Sequence, residues 1–121
     1  MNHTDSARVA AARAYLESLI THDVSAVRLE PAALRFENGE PCGSSGAEIL
    51  HELATGEQYK PLRQIRELEF REWDSNVIAR YLLDLEIGEA TTTVRITEHF
   101  VIKTDEIGSI TAIFEPWENA G

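Results

Sequence analysis

Residues 77–102 read VIARYLLDLEIGEATTTVRITEHFVI. Val77, Ala79, Tyr81, Leu83 and Leu85 form one alternating set, and Val94, Ile96, Glu98, Phe100 and Ile102 form a second. A period of two marks strands that bury one face. Gly88-Glu89 separates the two runs and suits a hairpin turn. Two long strands joined this way pair antiparallel. Before them, Ile65, Leu68, Phe70 and Trp73 mark another strand. After them, the turn at Asp105 to Gly108 leads into a last strand, Ser109 to Trp117. Ile110 and Ile113 break strict alternation there, which predicts a bulge.

The N-terminal half reads differently. Val9, Ala12, Leu16, Leu19 and Ile20 recur at helical spacing, so a helix is predicted from about Ser6 to His22, with Thr4, Asp5 or Ser6 as cap. Tyr15 sits at the edge of its apolar stripe. Val24 to Leu29 suggests a short second helix capped by Asp23 and ended by Pro31. Leu34 and Phe36 alternate with Arg35 and Glu37, which predicts a short strand with Leu34 and Phe36 inward, and Asn38-Gly39 reads as its turn. Ser45-Gly46-Ala47-Glu48 matches a capping box, with a third helix from about Ala47 to Thr55 behind it. The predicted fold is α+β: a curved antiparallel sheet wrapped around three N-terminal helices, a cone with a cavity between sheet and helices.

Composition bounds the function. A chain of 121 residues is one domain in size, and residues 1–5 and 118–121 are expected to be flexible ends. The net charge of −10 argues against a nucleic-acid partner. One cysteine, Cys42, excludes an internal disulfide framework, and no histidine pair has the spacing of a helical zinc site, so no metal and no cofactor is expected. No run approaches 18 apolar residues, and Met1 to Ala14 lacks an apolar leader, which points to a cytoplasmic protein without a membrane span.

The candidate site follows from the strand faces. Glu98 is a lone carboxylate on an apolar face, where desolvation should favour its neutral form. Such a group can act as acid, base or hydrogen-bond donor. Phe36, Leu50, Leu53, Trp73, Tyr81, Leu83, Phe100 and Phe114 are candidates for the wall of a ligand cavity, and Asn38 could add an amide. A one-residue slip in the 77–87 strand would turn Arg80 and Asp84 inward near Glu98. His22 is expected at the end of the first helix. His51 and His99 are expected at the surface, and Cys42 has no motif of a nucleophile.

Four stretches in this order and spacing carry a resemblance: Ala14-Tyr15-Leu16-Glu17-Ser18-Leu19 running into His22-Asp23-Val24, Gly46-Ala47-Glu48-Ile49, Thr97-Glu98-His99-Phe100, and Gly108 to Ile113. The chain resembles the nuclear-transport-factor-two-like superfamily, in particular SnoaL-like polyketide-cyclase-like proteins and ketosteroid isomerase. The resemblance implies the cystatin-like cone and a pocket for a polyketide-, terpenoid- or steroid-like ligand. Isomerase, cyclase or lyase chemistry would follow, with Tyr15 as an oxyanion-hole tyrosine and Glu98 as a protonated acid donating a second hydrogen bond. That last role is a known example of a carboxylic acid kept neutral by its site. Where the isomerase has a general base, the best match is Asn38, which cannot abstract a proton. Glu37 is next door but is expected to face the other way. A non-catalytic dimerisation or regulatory domain is therefore an alternative, as is an epoxide-hydrolase-like site at Arg80 and Asp84. The resemblance also implies a homodimer through the outer sheet face, where Leu82, His99 and Val101 lie.

Overall fold

A computed structural model describes residues 5–116; the expected flexible ends fall, except for Asp5, outside the described residues. Helix α1 spans Ala7–Thr21. The Ser6 hydroxyl accepts from the Val9 amide at 3.1 Å, satisfying a donor that has no partner inside the helix. His22 ends the helix in the left-handed conformation, and its amide donates to the Ser18 carbonyl. Strands β1 (Leu29–Glu37) and β2 (Glu40–Gly43) follow, then helix α2 (Gly46–Thr55) and one 3-10 turn (Glu57–Tyr59). The chain continues through β3 (Leu62–Trp73), β4 (Asn76–Ile87), β5 (Ala90–Ile102) and β6 (Ile107–Pro116). The Ser45 hydroxyl caps α2 by accepting from the Glu48 amide, and the Glu48 carboxylate accepts from the Ser44 amide.

Among the described residues two α-helices, not three, cover the sheet. The helix expected over Val24 to Leu29 is absent. One bond there, from the Val27 amide to the Val24 carbonyl, closes a turn, and Asp23 caps that turn by accepting from the Ser25 amide. The Arg28 carbonyl accepts from the Ile107 amide, so the chain there is bonded to the sheet and not to a helical turn.

The six strands are ordered β2-β1-β6-β5-β4-β3. The sheet is mixed rather than wholly antiparallel, because β1 runs parallel to β6. Parallel neighbours need a long crossover, and the whole chain between these two strands supplies it. The edges β2 and β3 do not meet, so the curved sheet stays an open cone. Register shifts in β1 and β3 bend it, and in β3 Glu67 adopts φ 56° at the shift.

The β4–β5 register is the one the alternation predicts. Val77, Ala79, Tyr81, Leu83, Ile96, Glu98, Phe100 and Ile102 are buried, while Arg80 is exposed. Strand β1 reverses its expected faces: Ala33 and Arg35 are buried, Leu34 is 42% exposed and Phe36 is half-buried. Its register against β6 explains this. Arg35 lies beside the buried Ile110, and Phe36 beside Thr111 on the outer face. In β6 the alternation holds, with Ile110 and Ala112 in and Ile113 out. The expected bulge at Ile110 to Ile113 is instead a register shift at Val101/Ile102.

Candidate functional site

The concave face gathers polar side chains from six elements into an apolar surround. Ala79 of β4 and Ala112 of β6 flank Glu98 of β5 in register. The Tyr81 hydroxyl donates to Glu98 Oε1 at 2.6 Å, and Glu98 is 1% exposed. Helix α1 places Tyr15 over this face, edge-on to Phe100 with ring centroids 5.6 Å apart.

Arg35 of β1 completes the group. Only 4% of it is exposed. Its Nε donates to the Tyr15 hydroxyl at 2.7 Å. Its Nη1 donates to Glu37 Oε2 and to Cys42 Sγ, the latter at 2.9 Å. Its guanidinium lies 6.0 Å from the centre of the Tyr59 ring. Within the described residues, Arg35 Nη2 and the second Glu98 oxygen make no hydrogen bond, whereas no fully enclosed side-chain nitrogen or oxygen lacks one. Neither atom is therefore fully enclosed. The Tyr15 hydroxyl accepts from Arg35, so its own proton is available to another acceptor.

Burial and charge set the protonation of these groups. Burial pushes the Glu98 carboxyl up from the usual range, and Glu37 adds to this; Arg35 and the Tyr81 hydrogen bond oppose it. Burial also raises the phenols: Tyr15 and Tyr81 lie well above the ordinary tyrosine value, and Tyr59 is pushed up to about 12. The Cys42 thiol is raised because desolvation by the groups around it outweighs the pull of Arg35, although the residue as a whole is exposed. Burial disfavours the Arg35 charge, but the phenols and carboxyls around it together hold its pKa above the usual value. The site thus presents one fixed cation, a carboxyl biased toward its neutral form and neutral phenols.

The sequence matches the family model described as "Domain of unknown function (DUF8021)" over residues 2–114. The chain belongs to the DUF8021 family. No curated protein matches the DUF8021 chain significantly. Solved structures do. An NTF2-like protein from Anabaena variabilis superposes with a TM-score of 0.74 at 12% identity, covering 97% of this chain and 96% of that one. An LEH-like epoxide hydrolase from M. tuberculosis gives 0.74 at 16% identity, over 90% and 83%. A candidate SnoaL-like polyketide cyclase from Shewanella denitrificans gives 0.70 at 10% identity, over 89% and 90%. The DUF8021 domain therefore has the NTF2-like, α+β cone fold.

The structure brings Tyr15, Tyr81, Glu98 and Phe100 of the DUF8021 domain together and places Leu53 and Leu83 in the same core, with Leu50 at its margin. Other expected wall residues stand elsewhere. Trp73 is 48% exposed on the outer face, stacked on His99, because the β3–β4 register pairs Phe70 and Glu72 with the inward Ala79 and Val77 and Trp73 with Asn76 on the opposite face. Phe114 lies near the far end of β6, 36% exposed and beyond helical cover. Phe36 faces outward for the reason given above. Asn38 is exposed in the β1–β2 turn, and its Oδ1 accepts from the Phe114 amide, a structural tie. Asp84 binds Arg66 and Thr93 on the outer face, and Arg80 is exposed beside them, so neither turns toward Glu98. The sequence reading missed Arg35, and with it Glu37, Cys42 and Tyr59. The signal was present as the second face of β1: Ala33, Arg35 and Glu37 alternate as regularly as Leu34 and Phe36. Glu37, expected to face away, lies on the site's side of the strand.

Proposed function

We propose that this protein binds a small, largely apolar molecule on the concave face of the cone and grips one of its oxygen atoms with Tyr15 and Glu98. Glu98 acts as acid or hydrogen-bond donor and Tyr15 as orienting donor, an arrangement that suits isomerase-, cyclase- or lyase-type chemistry at a polarised carbonyl. One observation carries the reading. An arginine and a glutamic acid, each at most 4% exposed, share an aromatic and aliphatic core, and each keeps an atom without a hydrogen-bond partner among the described residues. Taking such groups out of water costs several kcal/mol, and apolar residues of similar volume commonly do better for stability alone. Unspent hydrogen-bonding capacity in that setting fits a ligand.

A panel of naphthalene-sized alcohols, ketones and carboxylates screened by NMR tests this. Binders are expected to shift the Tyr15, Tyr81 and Glu98 backbone resonances. Tyr15→Phe and Glu98→Gln should each weaken them by about fivefold or more, the range for one buried hydrogen bond. A panel without binders, or binders indifferent to both variants, rejects the reading.

A separate observation favours a homodimerisation role for the outer sheet face. Trp73 and Ile113 are 48% and 50% exposed there and share an apolar groove with Ile78 and His99. Leu82, expected at this interface, is already buried within one chain at 4% exposure. Light scattering should return twice 13.5 kDa, and Ile113→Glu should restore the single mass. A wild-type mass of 13.5 kDa at micromolar concentration would count against the dimer.

A further inference from the structure

We infer that the ligand of this site is an apolar monocarboxylate, and that its carboxylate replaces that of Glu37 on the Arg35 guanidinium. The inference rests on the site proposed above and narrows it to one chemical class. A guanidinium fits a carboxylate best through two parallel N–H···O bonds. Arg35 does not make that contact. Glu37 gives one oxygen to Nη1, Cys42 Sγ shares the same nitrogen, and Nη2 makes no hydrogen bond among the described residues. Glu37 stands two positions along the same strand, so it reaches the guanidinium from one side.

The two partners also differ in burial. The Arg35 side chain is 5% exposed and the Glu37 side chain 33%. Glu37 can turn into water at small cost, whereas Arg35 cannot. When Glu37 leaves, Nη1 and Nη2 form an open fork inside the protein, and that buried cation then requires an anion. The surround selects which anion. Tyr59 lies against the guanidinium, Tyr15 is bonded to it, and Phe100 packs on Tyr15. These groups suit an apolar body. A dianion such as phosphate would face one guanidinium with Glu98 close by, on a chain of net charge −10. Cys42, the one cysteine, is exposed and touches Nη1, so its accessibility reports on this fork.

Calorimetry with 1-naphthoate and 1-naphthalenemethanol compares the same ring with and without the anion. The naphthoate should bind about tenfold tighter or better, and it should slow alkylation of Cys42 by iodoacetamide; inorganic phosphate should do neither. Glu37→Gln should tighten naphthoate several-fold without changing the alcohol. Arg35→Lys keeps the charge but not the fork and should lose most of the preference. The wild-type and Glu37→Gln comparisons stand even if Arg35→Lys folds poorly. Equal binding of acid and alcohol, weaker naphthoate binding by Glu37→Gln, or tight naphthoate binding that leaves Cys42 alkylation unchanged overturns this inference and leaves the site reading intact. Binding of neither ring rejects both.

Discussion

Arg35→Met is expected to destabilise the fold by about 3 kcal/mol, the lower end for removing one member of a buried charged pair. The low end applies because Glu37 can be rehydrated at 33% side-chain exposure. Tyr15 has no such escape. Its hydroxyl is bonded to Arg35 Nε at 2.7 Å in a residue with 0% exposure, and a methionine in place of the arginine would leave that oxygen enclosed without a partner. The loss should therefore be partly recovered in the double variant Arg35→Met, Tyr15→Phe, which removes the stranded group. A coupling of about 1 kcal/mol or more between the two changes follows from their direct contact. Urea unfolding of the wild type, both single variants and the double variant measures it, provided the slopes agree. Additive effects, or an Arg35→Met variant as stable as the wild type, would show that the guanidinium is not an interior charge.

The second large effect is in the pH dependence of stability, and it belongs to Glu98. In the unfolded chain this carboxyl titrates near 4.5, and in the folded protein burial raises it. Between those two values the unfolded state releases a proton that the folded state keeps. The Glu98 contribution is thus fully present below about pH 4.5 and is lost as pH rises through the folded value. Each pH unit between the two values corresponds to about 1.4 kcal/mol. Glu98→Gln retains an acceptor for Tyr81 and has nothing to ionise, so its stability should not fall across that window. The difference curve, Glu98→Gln minus wild type from about pH 4 to 9, should rise and then level. Asp84 and Asp23, both held below the usual range by hydrogen bonds, lose their contributions in acid in both proteins and cancel in the difference. Parallel curves would mean that Glu98 ionises in the folded state as it does in the unfolded one.

The two halves of the site were legible to different degrees. Glu98 and Tyr81 stand out because long strands with strict alternation have one register that buries their apolar sets. The stripe of α1 puts Tyr15 only at its edge, and its place in the site was implied by the resemblance. Arg35 does not stand out, because β1 offers two alternating faces and hydrophobicity alone prefers Leu34 and Phe36 inward. Pairing with β6 decides otherwise, and β6 lies far along the chain, with Arg35 beside Ile110. Asn38, Trp73 and Phe114 were misplaced for a related reason. Asn38 and Phe114 sit at a turn and a strand end, where cover by a helix is a matter of geometry that residue type does not report, and pairing with β4 turns Trp73 to the outer face.

By itself, then, the sequence determined the two helices, the four long strands, the inward faces of β4 and β5 and the cone they imply, since period and turn chemistry are local properties. The tertiary structure decided which face of β1 enters the core, and so whether the site holds a cation. The physical reason is that a buried guanidinium is stable only when partners from several elements surround it. Tyr15, Glu37, Cys42 and Tyr59 meet around Arg35 only after the sheet has closed over the helices.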